Sequence, residues 1–448
     1  MKILRRQWLL LMMGVFSLSL FGMLTGCGCS RDADAEMLRI ALDIEDRDRY
    51  DHLFQLFTTR TGIEVRATYG EDISKLIGTR DEPDLIKTST VVIRSMKSSL
   101  YDLTERIQNT TDISAEDYLP SVMDALTIEG RVYALPTSIN TSLLYYNKDL
   151  FDASEAALRE ALNLSPEQSV YPQPDWTYSD YVTAGVVLSH YTVQPDGRRV
   201  YSQFGAETQL NWWGEWLVYL NQMGGSFYRP DSNQRRSGLD STEAYEATSF
   251  YVRKAMGGPD EKFAPNAIES TQFSFLGGNV AMIFGGHMGD WFSYEALGLN
   301  WDIQVLPTPD ENPNARGGEI SADAFGISVR SQNKDAAFDF LTLWTGEEGA
   351  LAMASNSKIG ALNTMETLLK ENTPQGMPDI RYEALFMAAN KAVTLPDEQD
   401  FSRLMREVVM AELYRLMYTG RGSETDVAVV LERIRQAIDT HYINRYGS

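Results

Sequence analysis

"YALPTSINTSLLYYNKDLF", Tyr133 to Phe151, is the stretch on which the reading of the fold turns. Tyr133, Ala134 and Leu135 enter as a short apolar strand and meet Pro136. Thr137 to Ser142 are small and polar except for Ile139, and Leu143, Leu144, Tyr145 and Tyr146 then restore an apolar run. A tight turn between buried strands would use Gly, Asn or Asp over two residues. A longer run of Thr, Ser and Asn is no such turn, and the segment alone does not supply its reason.

Outward from this stretch the chain alternates strand and helix. "LRIALDI" (38–44) reads as a buried strand, followed by a helix carrying Leu53, Phe54 and Phe57 that Gly62 stops. "IEVRATY" (63–69) and "PDLIKTS" (83–89) are further strands, which points to an α/β layer with a largely parallel sheet. Beyond Tyr146, "SEAALREAL" (154–162) is helical and Thr177 is the expected N-cap of a helix through Leu188. "PDG" (195–197) marks a turn, and "WWGEWLVYLNQMGG" (212–225) reads as an aromatic helix. "NVAMIFGG" (279–286), "WDIQVLP" (301–307) and "AFGISV" (324–329) are strands, with a helix over 335–345. Two amphipathic helices close the chain, one through Leu404, Val408, Leu413 and Leu416, the other through Val427, Leu431, Ile434 and Ile438.

The N-terminus has its own logic. Lys2, Arg5 and Arg6 precede an uncharged, mostly apolar run from Trp8 to Leu24 that ends in "LTGC", Leu24 to Cys27. A charged start, an apolar middle and small residues before a cleavage point describe a secretory signal. The motif is similar to the lipobox of bacterial lipoproteins, which implies lipidation at Cys27 and an extracytoplasmic, membrane-tethered location, periplasmic or on the outer face. Residues 1–26 would be the signal peptide and 27–37 a tether. Cys27 and Cys29 are the chain's two cysteines, so the body beyond them has neither disulfide nor thiolate metal site. The net charge of −22, without a polybasic run, argues against nucleic acid as a partner.

Catalytic motifs are missing. No Gly-Lys dipeptide exists to form a phosphate loop, the four histidines never take the H-E-x-x-H spacing, and no G-x-S-x-G elbow occurs. "SNSK" (355–358) lacks the partner motifs that an S-x-x-K nucleophile requires. The residues therefore imply no cofactor, no metal and no catalytic group. An acidic chain always holds carboxylate pairs, so a secreted glycoside-active enzyme stays open as an alternative.

Several segments, taken in order, resemble the extracellular solute-binding proteins of ABC importers, sugar-binding class, the maltose-binding-protein relatives. They are "FTTRTGIEV" (57–65), "PDLI" (83–86) with "YDLTERI" (101–107), the opening stretch, "DWTYSDYVTA" (175–184), "NVAMIFGGHMGDW" (279–291), "WDIQVLPTP" (301–309) and "GGEISADAFGIS" (317–328). The resemblance implies an α/β two-lobed periplasmic-binding-protein clamshell with crossover hinge segments near Pro136–Asn140 and Glu319–Asp323, so that Pro136 would end one lobe's strand and Thr137 to Ser142 would bend with their polar groups facing a wet cleft. One lobe would comprise 38–139 plus 321–366, the other 140–320 plus 367–448. It also implies a monomer that binds a mono- or oligosaccharide between the lobes and delivers it to ABC permease subunits.

Carried over position by position, the resemblance places ligand contacts at Glu45 and Asp46, at Ser89 and Thr90, and at Asn140. It adds Asn211 and Trp212 before the aromatic helix, then Gly286, His287, Met288 and Trp291, then Gly318 and Glu319. Trp213, Trp216, Trp176 and Trp344 are expected in the core. Sugars offer flat C–H faces and many hydroxyls, so their sites need aromatic rings beside planar polar groups. A polyamine, a polyol or an organic phosphate are alternative ligands, and a sensory lipoprotein on the same scaffold is an alternative role.

Overall fold

The computed structural model describes residues 37–208, 212–229, 235–256, 272–285, 291–315, 317–396, 400–418 and 424–447. The expected signal segment and Cys27 lie outside the described residues, as do Asn211, Gly286, His287 and Met288. The strands, in chain order, are β1 (Met37–Leu42), β2 (Glu64–Tyr69), β3 (Leu85–Ser89), the pair β4 (Thr127–Ile128) and β5 (Arg131–Val132), β6 (Leu135–Thr141) and β7 (Leu143–Asn147). The pair β8 (His190–Val193) and β9 (Arg199–Gln203) follows, then β10 (Met282–Gly285), β11 (Trp301–Gln304), β12 (Glu319–Ile327) and β13 (Val393–Thr394).

The first sheet runs β13-β12-β3-β1-β2, with β6 on the other edge of β12. Strands β1, β2 and β3 are parallel, joined by the helix Asp51–Thr61, which buries Leu53, Phe54 and Phe57. Gly62 ends that helix at φ 76°, its N–H bonded back to Thr58, a conformation glycine adopts at little cost. Strand β12 enters this sheet antiparallel to both β3 and β6. The parallel layer read from the sequence is thus β1 to β3, with β6 in the same direction, and β12 and β13 run against it.

The second sheet is fully antiparallel, with β7 between β10 and β11. Alternate residues of a strand face opposite sides. Leu143 and Tyr145 of β7 join the apolar cluster around the first sheet, while Leu144 and Tyr146 join a second cluster containing Trp216, Tyr219 and the C-terminal helices. The aromatic helix (Gly214–Gln222) is almost wholly buried in that second cluster, and the helix Tyr178–Val187 starts at a Thr177–Asp180 capping box.

The opening stretch departs from expectation in an instructive way. Thr137 to Thr141 do not bend through water but continue β6, and Thr137, Ser138, Thr141 and Ser142 are each under 5% exposed. The two threonine hydroxyls are satisfied by β12: Thr137 Oγ1 donates to the Asp323 carbonyl (3.2 Å), and Thr141 Oγ1 to that of Glu319 (3.0 Å). Pro136 does not end the strand. It sits opposite Ala324 at a shift of register, where a missing N–H is tolerated. The β8–β9 hairpin around "PDG" was visible only as a turn, because exposed strands carry no apolar alternation. In the tail, a π-helical turn over Met405–Met410 moves the buried face from Val408 to Val409.

Candidate ligand-binding site

The β6–β12 ladder builds one side of the site. Register pairs Ser138 with Asp323 and Asn140 with Ser321, and the Ser142 N–H donates to the Glu319 carbonyl (3.1 Å). Facing residues of an antiparallel ladder share a side, and alternate residues repeat it. Glu319, Ser321, Asp323, Ser138, Asn140 and Ser142 thus form one polar face, with the buried Ile320, Ala322 and Ile139 on the reverse. This face holds much unused hydrogen-bonding capacity. The side chains of Asn140 and Ser321, both partly exposed, make no hydrogen bond among the described residues. Ser142 Oγ and Glu319 Oε2 are buried and lack a hydrogen-bond partner among the described residues. Native proteins pair buried polar atoms almost without exception, so these atoms are open to a partner from outside the chain, water or ligand.

The ladder's first-sheet end meets the loops after β1 and β3, where open α/β sheets place ligands. Lys358 Nζ stands 3.5 Å from Asp46 and 3.7 Å from Asp323, too far for strong charge-assisted hydrogen bonds. Lys87 pairs with Asp43 and lies 3.9 Å from Asp46. Burial by itself would lower the Lys87 ammonium, but Asp323, Asp43 and Asp46 outweigh it and hold the pKa above its ordinary value. Ser138 Oγ reaches the Asp323 carboxylate at 3.4 Å. Two ammonium groups among three carboxylates, partly open to solvent, can donate to and accept from a polyhydroxy ligand at once.

The second-sheet end carries Trp212. Its half-buried ring is wedged against Gly285 so closely that a Cβ there would lie 2.3 Å from Cζ3. Gly285 pairs with Leu143, the neighbour of Ser142, which brings the ring beside the ladder's far end. The approach to Trp212 is anchored by Lys254, whose ammonium donates to the Glu207 carbonyl (2.8 Å), Thr208 Oγ1 (2.9 Å) and Glu215 Oε1 (2.6 Å).

Of the residues expected from sequence, Asp46, Ser89, Asn140, Gly318 and Glu319 lie along this ladder and its loop ends. Ser89 pairs with Asp323, and Thr90 Oγ1 accepts from the Ala322 N–H (3.1 Å). Glu45 is exposed beside the buried Asp46. Trp291 is 1% exposed, its ring edge-on to Tyr382 and enclosed by protein. Sequence reasoning missed Lys87, Ser321, Asp323, Lys358 and Ser142. The alternation of Glu319, Ser321 and Asp323 in "EISAD" was a readable signal; nothing local marks Lys358. Among the described residues no group of three or more His, Cys, Asp or Glu side chains could hold a metal.

Residues 48–351 match the family described as bacterial extracellular solute-binding protein, more than half of the chain. This chain belongs to that family. Its fold is the mixed α/β, two-lobed architecture of these solute-binding proteins, and the family consists of binding proteins rather than enzymes. A mannitol-binding protein of Pseudomonas aeruginosa is 25% identical over 290 residues, 62% of this chain and 57% of that relative's own length. The sugar-binding protein MalE from Xanthomonas citri superposes with a TM-score of 0.71 at 17% identity, covering 91% of this chain and 98% of that one. An ABC substrate-binding protein from Listeria monocytogenes, in complex with cycloalternan, gives 0.68 at 21% identity over 90% and 98% of the two chains. Among the described residues no helix of this solute-binding protein is long and apolar enough to cross a membrane.

Proposed function

We propose that this solute-binding protein is a lipid-anchored, extracytoplasmic receptor that binds a neutral polyhydroxy compound, a sugar or sugar alcohol, and hands it to an ABC import permease. The observation that carries the reading is the polar face of the β6–β12 ladder, with Asn140 and Ser321 unengaged and Trp212 at one end. Hydroxyls would satisfy the ladder, and the indole would cover a C–H face. Two lobes, 38–139 plus 321–366 and 140–320 plus 367–448, would close on the ligand about the crossovers, since a ligand touching both stabilises only the closed state. Lipidation at Cys27 would tether the receptor beside its permease. The sugar names borne by the relatives agree with this ligand class. A polyamine is the weaker reading: Lys87 and Lys358 already occupy the carboxylates that a polycation would need.

The test is a thermal-shift and calorimetric screen with hexoses, hexitols, maltodextrins and polyamines. A bound ligand at 100 times its Kd adds about 2.7 kcal/mol of stability. Asn140→Ala should weaken binding at least tenfold, about 1.4 kcal/mol, with an unchanged melting point in the absence of ligand. A response to polyamines alone would overturn the reading.

A further inference from the structure

Glu319 stands apart from the other carboxylates of the site. It is 5% exposed at the second-sheet end of the ladder, and its Oε2 has no hydrogen-bond partner. Its neighbour across the ladder, Ser142, has an equally unsatisfied Oγ. The charged groups of the site are all elsewhere. Asp323 and Lys358 lie four strand residues away, roughly 13 Å along an extended chain. Strand β6 faces Glu319 with Asn140, Thr141 and Ser142, none of which titrates. Strand β13 brings Val393 and Thr394. Residues 305–308, after β11, carry no charge. Lys391, at the end of the helix Tyr382–Lys391, lines a small cavity with Ser142, Gly318 and Thr308, but makes no ion pair with Glu319. The free volume of that cavity, about 20 Å³, is room for one water molecule.

We propose that Glu319 binds the ligand as a neutral carboxylic acid, donating its proton in a hydrogen bond to a ligand oxygen, and so selects neutral polyhydroxy compounds. The inference rests on the sugar or sugar-alcohol reading above and adds to it a specificity-determining residue. A charged carboxylate enclosed without a cation is costly, and an enclosed acid can pay that cost by keeping its proton. Burial pushes the Glu319 carboxyl up to about 8, so at neutral pH the group is a donor. Asp46 and Asp323, each held against ammonium groups, serve as acceptors. The two ends of the ladder thus differ, one offering charged donors and acceptors and the other an uncharged donor, which orients a ligand along it.

The experiment measures the affinity of wild type, Glu319→Gln and Glu319→Leu for the hexose or hexitol that gives the largest thermal shift, at pH 7 and pH 9. Infrared difference spectra of wild type against Glu319→Gln follow the carboxyl itself in the same buffers. Wild-type affinity should fall about tenfold from pH 7 to pH 9, the ratio of protonated fractions for a group at about 8. Glu319→Gln keeps a donor and should bind with no dependence on pH over that range. Glu319→Leu should bind at least tenfold more weakly than Glu319→Gln at pH 7. Wild-type affinity that does not change with pH, or a Gln variant as weak as the Leu variant, would overturn the proposal while leaving the sugar reading intact. A carboxyl band that titrates below pH 6 would overturn it whether or not a sugar binds. If that band titrates near pH 8 but no hexose or hexitol binds, the sugar reading fails and this proposal fails with it.

Discussion

Replacing Lys254 by Met is the sharpest test of how the second apolar cluster is built. Lys254 is 2% exposed and Glu215 fully buried, with 2.6 Å between ammonium and carboxylate. Tyr219 also donates to Glu215 (2.9 Å), while Lys254 additionally holds the Glu207 carbonyl and Thr208 Oγ1. Burial lowers the Lys254 pKa, and the neighbouring Glu215 opposes that shift. Methionine fills a similar volume but takes away this countercharge, leaving the Glu215 carboxyl enclosed among Tyr178, Tyr181 and Tyr251. Breaking a buried pair from one side costs about 3–5 kcal/mol. Removing both charges, as in Lys254→Met with Glu215→Leu, abolishes that penalty and should recover at least about 2 kcal/mol of it. Urea denaturation followed by tryptophan fluorescence gives both values. A single variant losing under about 1 kcal/mol, or a double variant less stable than the single, would refute the reasoning. The first result would mean that water already reaches the pair; the second, that its geometry rather than its charge holds the helices Gly214–Gln222 and Thr242–Met256 together.

Two further outcomes follow from single positions. Gly285 has φ 88° and the Trp212 ring packed on its Cα, so Gly285→Ala should cost about 1–3 kcal/mol and displace the indole. The melting temperature and a shifted tryptophan emission would report this, and an unchanged emission would count against the wedge. Glu319 also links stability to pH. Its folded pKa, about 8, exceeds the unfolded value, so its contribution is intact at pH 4 and is lost as pH rises towards 8. Glu319→Gln should therefore match wild type at pH 4 and exceed it by a few kcal/mol at pH 9 in urea melts; equal stability at both pH values would contradict an enclosed carboxyl.

Much of the site was legible because it lies on strands. Asn140 and Glu319 belong to segments whose polar residues interrupt apolar runs, and Asp46 follows a strand's C-terminal end. The burial of Thr137, Ser138 and Thr141 was not legible, since hydroxyl groups look the same whether they meet water or a neighbouring strand's carbonyls. Trp291 shows the converse limit. An indole near a glycine pair suits both a sugar platform and a core contact, and here it is buried in the first apolar cluster with Tyr382, ninety-one positions downstream, against it. Lys87 and Lys358 were invisible for another reason: their carboxylate partners come from distant segments, Asp43 and Asp46 in the turn after β1 and Asp323 on β12.

By itself the sequence determined many of the strands and helices, where the first helix stops, and that the aromatic helix belongs inside. These follow from local periodicity and from what Gly and Thr do to the backbone near them. Only the tertiary structure decided that β12 runs antiparallel between β3 and β6. That pairing sets Asp323 against Ser138 and Ser321 against Asn140, and leaves Glu319 enclosed beside Ser142. The reason is that strand direction and register are chosen by partners nearly two hundred residues apart. A strand's own residues specify which side chains share a face, but not what that face will meet.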